Sequence, residues 1–259
     1  MTDKSNLSSL ASTFSSLHRP GDPIILANVY DTLSASTVAA LPSCKAIATA
    51  SYGVAQAAGL ADDDLTLEVN LAAAKAVGRV AREHGKPMTV DLQDGYGDRL
   101  EEAVKGVIDA GGVGINLEDY SRDKGEMWSL NEAAERVKKV LEVATGEGVD
   151  GFVVNARCDG FLYGKDIEEV VRRGKAHLEA GATTVFVWGG RKRGGISREE
   201  VERLSKEFGG RLNVSLKWED GLTVKELRGI GVARISVGPA IQLFVVEEVR
   251  RRAEDLLSR

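Results

Sequence analysis

Val90-Asp91-Leu92-Gln93-Asp94-Gly95-Tyr96-Gly97-Asp98 follows the apolar run Pro87-Met88-Thr89-Val90 and turns abruptly acidic and glycine-rich before an amphipathic segment begins near Leu100. A strand whose C-terminal end delivers carboxylates into a glycine-containing loop is where a parallel α/β protein keeps its chemistry. The same change of character recurs at Gly114-Ile115-Asn116-Leu117-Glu118-Asp119 and at Phe152-Val153-Val154-Asn155-Ala156-Arg157-Cys158-Asp159. Three strands ending in acids and one arginine read as one site assembled from distant parts of the chain.

Outward from these strands the chain alternates regularly. Apolar strand runs fall at 24–29, 46–50, 88–92, 114–117, 151–156, 184–188, 212–217 and 233–237. Helical periodicity fills 34–41, 67–84, 99–110, 130–144, 167–180, 223–228 and 239–257, and a capping box, Ser197-Arg198-Glu199-Glu200, opens one more helix after residue 197. Residues between Gly53 and Gly59 read as a small-residue connection, and 120–128 as a polar loop. Continuous Val/Ile runs suit strands buried on both faces of a parallel sheet. An open doubly wound sheet is the competitor, but no strand is followed by a G-x-G-x-x-G turn. The pattern predicts an α/β fold, a single-domain (β/α)8 TIM barrel over residues 22–259. Before it, residues 1–21 form an N-terminal segment with a short helix at Leu10 to Leu17.

The 259 residues are 43% hydrophobic, enough for one substantial core, and the formal charge of −5 argues against nucleic acid or an anionic membrane as the main partner. Cys44 and Cys158, the only two cysteines, make neither a metal motif nor a disulfide framework and read as reduced, buried thiols in strand surroundings. No apolar run approaches the roughly 20 residues of a membrane span. The Ser-rich start through His18 has neither the apolar core of a secretory signal nor a cluster of Arg, so the cytoplasm is the expected location.

In a barrel the strand ends converge on one face. They supply Asn28, Tyr30 and Asp31; Ser51, Tyr52 and Gly53; Asp91, Gln93 and Asp94; Glu118 and Asp119; Arg157 and Asp159; Trp188; and Asn213 with Lys217. A guanidinium grips a carboxylate through two parallel hydrogen bonds, so one Arg amid acids suits a carboxylic acid ligand. Hard oxygen donors without His or Cys point to Mg²⁺ or Mn²⁺, for which Asp91 and Glu118 are enough. Asp98 and Asp119 have helix capping as an alternative role. His18, His84 and His177 lie away from strand ends, the last two on helix surfaces. Lys217 is either a charge supplied to the site or a solvated loop lysine. Arg191-Lys192-Arg193 is either solvated charge or a hold on an anionic substrate tail.

These residues resemble the phosphoenolpyruvate mutase/isocitrate lyase superfamily over roughly residues 22–245. Tyr30-Asp31-Thr32-Leu33-Ser34-Ala35 is similar to its "YDxLSA" opening, and Ser51-Tyr52-Gly53 with Gly59-Leu60-Ala61-Asp62 to its Ser-Gly loop and "GLPD". Asp91-Leu92-Gln93-Asp94-Gly95-Tyr96-Gly97 is similar to "DxDxGYG", Glu118-Asp119 to "ED", and Arg157-Cys158-Asp159 to "RTD". The resemblance implies a Mg²⁺-dependent barrel in which metal and Arg stabilise an enolate of a 2-oxo acid. It implies substrate binding by Tyr30, Ser51, Tyr52, Gly53, Asn213 and Arg157, metal positions at Asp91, Gln93 and Glu118, and catalytic roles for Arg157, Glu118 and Asp62. It also implies a homo-oligomer, a dimer or tetramer. Two departures stand out. Gln93 occupies the place of a second metal-binding aspartate, and Ser121 to Trp128 lacks the Cys and His of the lyases' "KxCGH" loop. The expected activity is therefore carbon–carbon lyase or hydrolase chemistry on a 2-oxo or 2-hydroxy (di)carboxylic acid, other than isocitrate cleavage. The alternatives are a phosphorus–carbon bond mutase or hydrolase, or a barrel that lost its metal and serves as a binding protein.

Overall fold

A computed structural model describes residues 4–259. In chain order the first elements are α1 (Lys4–Ser16), β1 (Ile24–Leu26), β2 (Asn28–Val29), α2 (Thr32–Ala39), β3 (Ile47–Thr49), α3 (Ser51–Ala57), α4 (Leu67–Glu83), β4 (Met88–Asp91) and α5 (Leu100–Asp109). Then come β5 (Gly114–Glu118), β6 (Tyr120–Ser121), β7 (Glu126–Met127), α6 (Leu130–Gly146), β8 (Val153–Cys158), α7 (Ile167–Glu179), β9 (Thr184–Val187), α8 (Arg198–Glu207), β10 (Leu212–Ser215), α9 (Val224–Ile230), β11 (Arg234–Ser236) and α10 (Ala240–Leu257).

The parallel strands run in the order β1-β11-β10-β9-β8-β5-β4-β3-β2, so the ring begins and ends on consecutive segments of one chain stretch. The first strand is broken at Ala27: β1 pairs with β11 and β2 with β3. The break is bridged by Asn28. Its Oδ1 accepts from the backbone N–H of Val237 and Gly238 at 3.0 and 3.1 Å, and its Nδ2 donates to Thr49 C=O at 2.9 Å. One amide therefore supplies the hydrogen bonds that the two half-strands leave unmade, and the result is a nearly closed (β/α) barrel. Asn28, collected above among the strand-end residues, is the clasp of the barrel.

Helices form where the sequence caps them. Asp31 with Ser34, Ser129 with Glu132, Ser197 with Glu200 and Thr223 with Glu226 each make a reciprocal capping box. The main apolar core lies between the ring and its helices, from Leu26 and Val29 through Ile47, Val90, Ile115 and Val154 to Val77, Val107 and Val140. α1 starts earlier than the expected Leu10, because Leu7, Ala11 and Phe14 fall on one helical face and are all buried in that core. Two more elements sit where connections were expected: α3 after β3, and the antiparallel hairpin β6–β7 inside 120–128.

Inside the ring the register stacks side chains in layers. Asn116 pairs with Asn155 and Glu118 with Arg157; Asn155 pairs with Thr184 and Arg157 with Phe186. The lower layer is a buried polar network. Asn155 donates to Asn116 at 2.9 Å, Thr184 to Asn155 at 2.6 Å, Asn213 to Ser236 at 3.1 Å and Arg234 to Asn116 at 3.1 Å. Asn213, expected to bind substrate, belongs to this network. It is fully buried and its amide is spent on Ser236 and Asn155, because it stands one layer below the strand end. Cys44 lies half-buried in the turn before β3 rather than in a strand; Cys158 is fully buried, and burial pushes its thiol well above the usual range. No helix among the described residues is long and apolar enough to cross a membrane.

Candidate active site

At the top of β4, the backbone N–H of Ser51 donates to Asp91 Oδ2 at 2.9 Å, and the Asp91 N–H donates to Thr49 Oγ1 at 2.9 Å. These bonds tie the end of β4 to the start of α3. The other carboxylate oxygen, Oδ1, is buried without a hydrogen-bond partner. The first turn of α3 carries no side-chain cap, and its ladder starts only at Val54 N–H to Ala50 C=O. The amides of Tyr52 and Gly53 thus have no acceptor within the helix.

Two strands round the ring, Arg157 Nη1 donates to Glu118 Oε1 at 2.8 Å and its Nε to Asp159 Oδ1 at 2.7 Å, while the guanidinium lies 4.5 Å from the centre of the Trp188 ring. Burial would lower the Arg157 pKa, but the Asp159 and Glu118 carboxylates outweigh it and hold the group above its ordinary value. No hydrogen bond to a described residue engages Nη2, the edge left for a ligand. Glu118 is buried, and that burial, with Asp159 and Asp91 nearby, pushes its carboxyl up to about 8 against the pull of Arg157 and Arg122. Burial likewise raises the Asp159 carboxyl, opposed by Arg157.

Arg122 reaches in from the β6–β7 hairpin. Its Nη1 donates to Asp62 C=O at 3.1 Å and to Asp63 Oδ1 at 3.0 Å, and its Nη2 lies 3.5 Å from Asp62 Oδ2 and 3.8 Å from Glu118 Oε2. The motifs singled out in the sequence did not include it. The available signal was a lone arginine four residues after Glu118, in a loop facing an Asp62-Asp63-Asp64 run. Gln93 joins the same loop: its Nε2 donates to Asp62 C=O at 2.9 Å and Oδ1 at 3.1 Å, from a left-handed backbone (φ 53°). The structure therefore groups Ser51, Asp62, Asp91, Gln93, Glu118 and Arg157, with Arg122 as the link between Asp62 and Glu118.

The remaining expected residues stand at the rim. Tyr30 packs on Gly53, where a Cβ would come within 2.8 Å of Tyr30 Cβ and 2.9 Å of Gln242 Oε1, so only glycine fits. Tyr52 lies under the Arg191 guanidinium at 5.4 Å. β3 and β9 are four places apart in a ring of eight positions, so this contact crosses the mouth. Asp94 and Asp119 serve as struts: Asp94 accepts from the N–H groups of Tyr96 and Arg122, and Asp119 from the N–H of Asp159. Asp119 also meets Arg173 at 3.2 Å, and His177 Nε2 lies 3.8 Å from it. His177 is thus buried behind the site, not on a helix surface, because α7 turns that face toward the β5 and β8 loops.

Among the described residues no three His, Cys, Asp or Glu side chains form a group able to hold a metal ion. The donor chemistry still fits a hard cation that keeps most of its water. Asp91 Oδ1 is a buried carboxylate oxygen with no donor, and Mg²⁺ usually takes only one or two protein carboxylates. Glu118 Oε1 is engaged by Arg157 and the Gln93 amide nitrogen by Asp62, which leaves Asp91 as the carboxylate free to take the ion.

A family model for phosphoenolpyruvate phosphomutase matches residues 14–257. An uncharacterised protein of Mycobacterium tuberculosis is 30% identical over 229 residues, covering 87% of this chain and 81% of that protein. The crystal structure of a putative phosphonomutase from Burkholderia cenocepacia superposes with a TM-score of 0.86 at 32% identity, covering 96% of this chain and 99% of that one. The oxaloacetate decarboxylase of Bradyrhizobium diazoefficiens is 28% identical over 160 residues, covering 59% of this chain and 52% of that enzyme. A phosphonopyruvate hydrolase solved with oxalate and Mg²⁺ shares the fold, with a TM-score of 0.78 at 21% identity over 97% of this chain and 85% of that one.

Proposed function

The chain belongs to the phosphoenolpyruvate phosphomutase family, whose members among its homologues are lyases and mutases, and from that premise we propose a Mg²⁺-dependent lyase or hydrolase acting on a small 2-oxo or 2-hydroxy carboxylic acid. The bond broken is carbon–carbon, and the electrons it releases form an enolate. The observation that carries this reading is the pairing of Arg157, open at Nη2, with Asp91, open at Oδ1, across the same mouth. Bound Mg²⁺ would supply electrostatic stabilisation of the developing oxyanion, with Asp91 as its protein ligand and Glu118 and Gln93 reaching it through water.

The protein's own groups do the rest. The substrate carboxylate lies against the unpaired amides of Tyr52 and Gly53 and the Ser51 hydroxyl, where the start of α3 favours negative charge. Arg157 Nη2 donates to the oxygen that becomes enolate, and Asp159 and Glu118 hold the guanidinium against Trp188 for that purpose. Burial raises the Glu118 carboxyl while Arg157 and Arg122 oppose it, so this group takes up a proton more readily than an ordinary carboxylate. Oε1 accepts from Arg157, so a proton on this carboxyl would be carried by Oε2, 3.8 Å from Arg122 Nη2. Asp62 shapes the rim through Arg122 and Gln93. Small acid turnover in the cytoplasm is the setting this implies.

Phosphorus–carbon bond chemistry is the second reading, favoured by the similarity to a putative phosphonomutase, and it would use the same enolate-stabilising groups. A barrel that only binds is disfavoured by the donorless Asp91 oxygen, which a structural carboxylate has no reason to keep buried. Calorimetric titration of Mg²⁺ with and without oxalate, a mimic of the pyruvate enolate, tests the proposal. Oxalate-dependent Mg²⁺ binding that vanishes in Asp91→Ala is expected. Absence of binding under both conditions would overturn the metal mechanism.

A further inference from the structure

A cavity of about 750 Å³ opens between the β9–α8 and β10–α9 loops, beside the reaction centre. Trp188 is the shared wall: Arg157 lies against its ring, and the same residue lines the cavity. Another wall is bare backbone. Gly189 lies so close to Gly195 that a Cβ on it would come within 2.0 Å of the Gly195 carbonyl oxygen.

Four cationic side chains line this space: Arg191, Arg193, Arg198 and Lys217. Two are neutralised locally, Arg193 by Glu200 and Arg198 by Glu226. Arg191 and Lys217 make no ion pair among the described residues. Arg191 reaches over Tyr52 at the mouth. The Lys217 ammonium lies along the glycine wall, 3.5 and 3.4 Å from where Cβ atoms on Gly194 and Gly195 would stand, so side chains there would crowd it. Asp220, the remaining acid of the lining, forms no ion pair with either cation. Two unpaired positive charges lining a cavity that shares its Trp188 wall with Arg157 are a receptor for negative charge on the far end of a ligand.

We propose that the cavity is a tail subsite, and that the substrate is a 2-oxo or 2-hydroxy acid extended by a chain ending in an oxyanion, carboxylate or phosphoryl, held by Lys217 and Arg191. The placement of the acid head rests on the function proposed above. The subsite would give the Arg191–Lys217 charges, otherwise solvated, a role in choosing substrate length.

The test compares 2-oxoadipate with 2-oxohexanoate, equal in length and differing in the terminal carboxylate, on full-length protein with Mg²⁺. Oxalate reports the head site alone. The wild type should bind 2-oxoadipate at least tenfold more tightly than 2-oxohexanoate. Lys217→Gln should erase most of that preference while binding oxalate within twofold of wild type, and Arg191→Gln should reduce it. Inorganic phosphate that displaces 2-oxoadipate only when Lys217 is present would assign a phosphoryl terminus; failure to displace would assign a carboxylate. Oxalate binding with no preference between the two acids, or with one that survives Lys217→Gln, would overturn the tail subsite and leave the enolate reading standing. A Lys217-dependent preference without oxalate binding would do the reverse, and binding of none of the three would overturn both.

Discussion

Arg122 joins two loops that no backbone hydrogen bond connects, through the Asp62 carbonyl, the Asp63 carboxylate and the approach of its Nη2 to Glu118. A planar fork can do this and a lysine cannot, because one ammonium cannot face three acceptors in those directions. Arg122→Gln should therefore weaken Mg²⁺–oxalate binding roughly tenfold, about 1.4 kcal/mol, and Arg122→Lys by less, with thermal stability nearly unchanged in both. Loss of folding in the glutamine variant, or unaltered oxalate affinity, would contradict the role. At this scale the candidate site was legible where a residue's role follows from lying at a strand end. Asp91, Glu118 and Arg157 are grouped as their positions imply. Gln93 and Asn213 show the limit: a left-handed bend redirects Gln93 to Asp62, and a shift of one layer takes Asn213 into the polar interior. Neither a backbone angle nor a layer height is written in residue type.

α1 plugs the end of the barrel away from the site. Phe14 and His18 meet edge to face at 4.7 Å, and His18 Nε2 lies 3.4 Å from Nη1 of Arg234, which is 1% exposed. Burial, aided by Arg234, lowers the His18 pKa to about 3, and burial lowers that of Arg234 to about 9. His18 is therefore neutral when folded and charges readily when unfolded, near its ordinary 6.5. Below pH 6.5 the unfolded chain takes up a proton that the fold refuses, so stability is full above that value and falls as pH drops toward 3. About 2 kcal/mol of the loss between pH 7 and pH 5 should come from this one group. Urea midpoints at the two pH values should show a smaller drop for His18→Asn than for wild type; equal drops would contradict it. The strands and most helices were legible because period and capping boxes agree along 24–257. α3 and the β6–β7 hairpin were not, since Ser51–Ala57 is too short to show a period and two-residue strands carry no alternation.

On the whole molecule, the most apolar exposed surface belongs to α10: Phe244, Val245, Val246, Val249, Leu256 and Leu257 are all exposed, and Trp218 stands edge-on to Phe244 at 5.6 Å. A helix that leaves this much apolar area in water calls for a partner, and the homo-oligomer expected from the sequence supplies one. Light scattering should find a dimer or larger species, and Phe244→Glu with Val249→Glu should shift it to a folded monomer; a monomeric wild type would remove the expectation. The Asn28 clasp has a different kind of consequence, one of timing. It bonds to Val237, 209 positions away, so the ring cannot close during synthesis until residue 237 has left the ribosome. Until then β2 and the newest strand are both naked edges, the kind of surface on which nascent sheets pair with one another. A chain slow to make the clasp and the β1–β11 pairing beside it spends longest as a sticky open sheet, whatever its final stability.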